Sequence, residues 1–237
     1  MVRPDLARRL LAEFLGTGLL VIAVIGSGIA AARLSPGDTG LELLENAAAT
    51  AGALVALILA FGPVSGAHLN PVVTLADHHF GGMTTGRSIG YVVAQVTGGA
   101  CGAFIANAMF GLAIFEVSTK TRSGGPLWLG EVVATFGLLL TIFAVVRSDR
   151  RAVVPFAVAA YIGGAYFFTS STSFANPAVT IARALSNTFA GIRPSSVPGF
   201  VLAQFGGLVL AVAAIAILYP HVEEHAAEVV LPQEATS

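Results

Sequence analysis

Apolar residues run along the chain in six long stretches, roughly 10 to 32, 46 to 64, 89 to 111, 127 to 147, 152 to 170 and 197 to 219. Each has about the 20 residues needed to cross about 30 Å of hydrocarbon, so the pattern predicts six membrane-spanning helices. The first follows Arg8 and Arg9, as a secretory leader would, but it carries Glu13 and no small-x-small cleavage site precedes a polar chain. It therefore reads as a retained span. Between the stretches, Arg3, Arg8, Arg9, Arg87, Arg147, Arg150 and Arg151 fall on one side, and Arg33, Lys120, Arg122, Arg183 and Arg193 on the other. The short basic turn Arg147-Ser148-Asp149-Arg150-Arg151 assigns the first side, with both termini, to the cytoplasm.

Two shorter apolar segments do not fit as spans, and they resemble each other. Asn70-Pro71-Val72-Val73-Thr74-Leu75-Ala76 returns 106 residues later as Asn176-Pro177-Ala178-Val179-Thr180-Ile181-Ala182, with five of seven positions identical. Ala12-Glu13 in the first span matches Gly130-Glu131 in the fourth, and Ala94-Gln95 with Gly98-Gly99 in the third matches Ala203-Gln204 with Gly206-Gly207 in the sixth. Shared features in one order indicate a duplicated three-span unit, about 8 to 112 and about 127 to 219 within one channel-like domain. An odd number of spans per unit inverts the second copy, which puts a solute site at the repeat interface near the bilayer midplane.

Each Asn-Pro pair starts a helix, since Asn caps the free N–H groups and Pro fits the first helical position. The apolar run that follows is too short to span and suits a re-entrant half-helix. The approaches, Gly62 to Leu69 and Thr169 to Ala175, are rich in turn residues and hydroxyls. Irregular backbone at that depth is tolerated only where protein buries it or it lines a wet cavity.

Composition narrows the class. The 237 residues are 55% hydrophobic and 11% charged, with a mean hydropathy of +0.82 and a net charge of −1. That excludes an ordinary soluble enzyme and gives no basic excess for nucleic acid. The 27 glycines, many inside the spans, predict close helix contacts. The single cysteine, Cys101, excludes an intrachain disulfide and reads as a small buried residue. The tail from 220 to 237 has four glutamates and no Lys or Arg, and reads as a solvated end. No cofactor or metal is called for: His78 and His79 are adjacent but do not by themselves converge on one ion.

Gly66-Ala67-His68-Leu69-Asn70-Pro71, the second Asn176-Pro177-Ala178, six spans and the paired Glu13 and Glu131 resemble the major intrinsic protein family of aquaporins and aquaglyceroporins over roughly residues 10 to 219. The resemblance implies an all-α membrane fold of six helices and two half-helices meeting at the bilayer centre. Asn70 and Asn176 would donate to a passing neutral solute, while the half-helix dipoles repel cations. Glu13 and Glu131, whose alternative reading is proton relay, would accept backbone N–H groups of the re-entrant loops. His68 would pack its loop rather than line the pore. The resemblance also implies a homotetramer and, from the kind of member this looks like, a bacterial inner membrane.

Two positions depart from the family pattern. The first motif ends in Val72 rather than alanine, and Val179 stands where most members carry an arginine. Counting along that pattern, Thr50, Gly164 and Ser173 complete the constriction, without the aromatic and histidine of water-selective members. This implies a wide, uncharged filter passing arsenite and other metalloid hydroxides, glycerol and water. A water-selective channel and a coupled secondary transporter are the alternatives. Arg183, one turn beyond Val179, is read as snorkelling to the interface, with a displaced pore cation as the alternative.

Overall fold

The computed structural model describes residues 4–147 and 150–219. Arg3, the Ser148-Asp149 tip of the basic turn and the acidic tail lie outside the described residues. The chain forms α1 (Leu6–Leu34), α2 (Thr39–Ser65), the short α3 (Pro71–His79), α4 (Thr85–Met109), α5 (Gly125–Arg147), α6 (Val154–Phe168), the short α7 (Pro177–Arg183) and α8 (Val197–Leu218). Among the described residues there is no strand, and six helices, α6 taken with the turn from Arg151 that leads into it, are long and apolar enough to cross a membrane. Several begin before their apolar stretch. In α2 the seven extra residues from Thr39 to Glu45 form about two turns that carry both glutamates, capped where Asp38 Oδ1 accepts from Leu41 N at 3.0 Å.

The two halves repeat their packing: α1 lies on α2 and α4 as α5 lies on α6 and α8, and α2 meets α6 across the halves. Glycine permits the tightest crossings. A Cβ at Gly98 would overlap the backbone of Phe14, and one at Gly102 the backbone of Gly18; in the second half a Cβ at Gly207 would sit 2.6 Å from the Val132 carbonyl oxygen. Association in lipid depends on such contact, because the hydrocarbon gives no hydrophobic drive between helices. Cys101, expected inside, is exposed on α4; its place on the outer side of the bundle leaves it nothing to pack against.

The half-helices α3 and α7, of nine and seven residues, measure about 14 and 10 Å at 1.5 Å per residue, so two end to end make roughly one bilayer crossing.

Candidate functional site

The site is built where the N-termini of α3 and α7 meet. Asn70 Oδ1 accepts from Val72 N at 3.1 Å, and Asn176 Oδ1 accepts from Ala178 N and Val179 N at 3.0 and 3.2 Å. Each side chain also reaches across. Asn70 Nδ2 donates to the Ala175 carbonyl and Asn176 Nδ2 to the Leu69 carbonyl, both at 2.8 Å. A carboxamide nitrogen has two hydrogens, so each asparagine keeps one N–H that no described protein group takes. Both line a cavity of about 350 Å³ that extends from Arg151, just before α6, and Pro155 in its first turn to Arg183 at the end of α7.

The approach loops are forced into an unusual backbone. Ala67, Leu69, Thr172, Ser173 and Ala175 have φ between 46° and 62°, and Gly66 has φ 98°. These pair off at the 106-residue offset, so the duplication extends to the backbone path. Non-glycine residues in this region cost about 1–3 kcal/mol each and persist only where the surroundings over-determine them. Glu13, fully buried, does so in the first half. Its Oε1 accepts from Ser65 Oγ at 2.6 Å and His68 N at 3.0 Å; its Oε2 accepts from Leu69 N at 2.7 Å and Gln95 Nε2 at 2.8 Å. Glu131 repeats the arrangement with Phe174 N, Ala175 N and Gln204 Nε2 at 2.9, 2.9 and 2.6 Å. Gln95 and Gln204 also donate to Thr74 Oγ1 and Thr180 Oγ1, at 3.0 and 2.9 Å, tying each carboxylate to its own half-helix. The sequence marks these glutamines only as repeat features; the Ala-Gln pair followed by Gly-Gly in both the third and the sixth span was the available signal.

His68 both packs and lines. Its Nδ1 is 3.1 Å from Thr74 Oγ1 and its ring meets Tyr91 edge-on, yet it also forms part of the cavity wall. His78 Nδ1 lies 2.8 Å from the Met83 carbonyl and the His79 ring stacks edge-on against Phe80. Pro71, Val72, Pro177 and Ala178 are buried at the half-helix tips.

Thr50, Ser173 and Val179 lie on the cavity wall, and the Ser173 hydroxyl has no protein partner among the described residues. Gly164 does not belong with them: it is exposed on α6, away from the cavity. On α6 the cavity is lined by Val158, Ile162 and Tyr166, one turn apart, and the Tyr166 hydroxyl donates to Thr50 Oγ1 at 3.1 Å. Counting back from Asn176 runs through an irregular loop, Thr169 to Ala175, and the count lands on a face of α6 turned away from the cavity. An aromatic therefore stands in the wall after all. Arg183 is a second correction. It is 2% exposed and lines the cavity, with Nε donating to the Ala190 carbonyl and the guanidinium carbon 3.4 Å from the Phe174 ring centroid. The carbonyl and ring partners within the fold hold the head group inside, where an interfacial arginine would extend outward.

Loop cations gather behind this wall. Lys120 Nζ donates to the Phe189 carbonyl at 2.8 Å, and Arg122 donates to the carbonyls of Gly191 and Phe189 at 2.9 and 3.3 Å. Burial, then Arg122 and Arg183, lower the Lys120 amine to about 8, and burial also lowers Arg122.

The family described as Major intrinsic protein matches residues 1–172. The chain belongs to the major intrinsic protein family. Aquaglyceroporin AqpS of Rhizobium meliloti (strain 1021) is 51% identical over 209 residues, covering 88% of this chain and 89% of its own length. Aquaporin NIP2-2 of Zea mays is 35% identical, covering 80% of this chain and 65% of its own. The X-ray structure of the aquaglyceroporin from Plasmodium falciparum aligns with 93% of this chain and 100% of its own at a TM-score of 0.67 and 19% identity, a likeness of fold. As a major intrinsic protein, the chain is a membrane-embedded passive channel and not an enzyme.

Proposed function

We propose that the cavity is a pore for small neutral polyhydroxylated solutes: glycerol, water and undissociated metalloid hydroxides such as arsenous acid. The observation that carries this is the pair of asparagines, each with one unspent N–H, on a wall whose filter position is Val179 rather than a cation. Asn70 and Asn176 offer donors to a solute's oxygens in single file, Ser173 adds a hydroxyl, and Thr50, Tyr166 and Val179 set the width. Glu13 and Glu131 hold the loops, and His68 buttresses the first. Pro71, Val72, Pro177 and Ala178 fix the half-helix tips. The name aquaglyceroporin attached to the relative at 51% identity supports the glycerol part of this range.

The chain reads as one duplicated channel domain, with both termini in the cytoplasm of a bacterial inner membrane, so that the α7 mouth faces outward; four copies form the assembly, one pore in each. A water-selective pore is the second reading, favoured by Tyr166 narrowing the wall. Uptake of radiolabelled glycerol and of arsenous acid by vesicles, with and without ionophores that collapse proton and sodium gradients, tests the proposal. Uptake of both above empty vesicles, unchanged by ionophores, is expected. Uptake that stops with the gradients means coupled transport and overturns it.

A further inference from the structure

The two half-helices are copies, but they differ in charge at one equivalent position near their ends. Asp77 on α3 occupies the repeat position of Arg183 on α7, and both are about 2% exposed. Asp77 faces inward, with Oδ2 3.9 Å from His68 Nε2, whereas Arg183 forms part of the cavity wall. The Arg183 guanidinium spends Nε on the Ala190 carbonyl, and Phe174 covers one side. Its two terminal nitrogens have no hydrogen-bond partner among the described residues, and no described carboxylate lies within ion-pair distance. Glu131, the acid whose charge bears on it, already accepts from Phe174 N, Ala175 N and Gln204 Nε2. Lys120 and Arg122 add like charge, pinned to the carbonyls on either side of Ala190, and the Arg122 guanidinium sits 5.2 Å from the same Phe174 ring.

A buried, unneutralised guanidinium with a free fork is costly to keep without a partner. Its planar pair of N–H groups matches two oxygens of one oxyanion, and two further cations lie behind it. We propose that the α7 mouth is a docking site for a small soluble oxyanion of the phosphate class, held by the Arg183 fork in the field of Lys120 and Arg122. An anion there stands in the path of the neutral solutes, so oxyanions compete with solute entry at this mouth. The inference uses the cavity as the conducting path and does not depend on which solute passes.

The probe is inorganic phosphate at pH 6, mostly singly charged, against chloride at equal ionic strength. Calorimetry on the purified full chain should find one phosphate site per chain, with affinity falling about ten- to a hundredfold in Arg183→Gln, as loss of hydrogen bonds to a charged group implies. In vesicles with phosphate on both faces, the wild type's glycerol or water flux should fall more than in chloride, and the ratio of the two fluxes should return towards one in Arg183→Gln. Lys120→Gln, outside the wall, should weaken binding severalfold, and it decides the matter if Arg183→Gln does not fold. Absence of a phosphate site in the wild type, equal affinity in wild type and Arg183→Gln, or an unchanged affinity in Lys120→Gln overturns the proposal. Phosphate binding with water flux but no glycerol flux would instead strike the proposed solute range and leave the anion site standing.

Discussion

Replacing Glu131 with glutamine tests whether one carboxylate holds the second re-entrant loop. Glu131 is fully buried and its oxygens accept from Phe174 N, Ala175 N and Gln204 Nε2. In Glu131→Gln one oxygen becomes an NH2 group. If that group takes the Oε1 place it confronts Phe174 N; in the Oε2 place it confronts both Ala175 N and Gln204 Nε2. Even the milder orientation loses a hydrogen bond to a charged acceptor, about 1.5–3 kcal/mol, and strands a buried donor at about 1–3 kcal/mol. Removing a buried charge offsets part of this, leaving roughly 2–4 kcal/mol. That is comparable to the strain of Thr172, Ser173 and Ala175, at about 1–3 kcal/mol each, so the loop should let go. Unfolding in mixed micelles, followed by the single tryptophan, Trp128, near the start of the same helix, reads the cost. Glu116→Gln, at an exposed acid bonded to Asn187, is the control and should change stability by less than about 0.5 kcal/mol. A Glu131→Gln protein matching the wild type in unfolding midpoint and in glycerol flux would refute the assignment.

Val179→Arg should cut glycerol flux by about tenfold and water flux by far less, because a guanidinium at the wall takes width from larger solutes first; equal losses in stopped-flow traces would contradict the filter assignment. Gly164→Ala should leave both fluxes as they are, since a Cβ there meets only Phe168 at 3.5 Å, while Tyr166→Ala should admit larger polyols; the reverse pattern in a size series would restore Gly164 to the wall. Lys120 is the single lysine, and with its amine lowered to about 8 it is charged below that pH and neutral above it. At pH 8 it should therefore react with an amine reagent on the order of a hundredfold faster than an ordinary lysine. Peptide mapping checks this, and a profile that rises only above pH 10 would be the contrary result.

The spans, the half-helices and the pairing of Glu13 with Glu131 were legible because each rests on a local rule: apolar length, Asn-Pro capping, and a repeat that preserves residue type. Gly164 lies off the wall because a count of residues from Asn176 runs back through an irregular loop, and no local pattern records which face of α6 such a count reaches. Tyr166 was missed for the same reason. Arg183 was misread because its neighbours in the fold, Phe174 and Ala190, are not its neighbours in helical spacing. Cys101 illustrates a membrane-specific error, since small apolar residues face lipid as readily as they face the core.

The most direct test is stopped-flow light scattering on reconstituted vesicles, giving glycerol and water permeability from the same preparation. The account predicts glycerol permeability well above that of empty vesicles, alongside water. Water permeability with glycerol at the level of empty vesicles would contradict it, and would mean that Tyr166 and Arg183 close the filter that Val179 was taken to open.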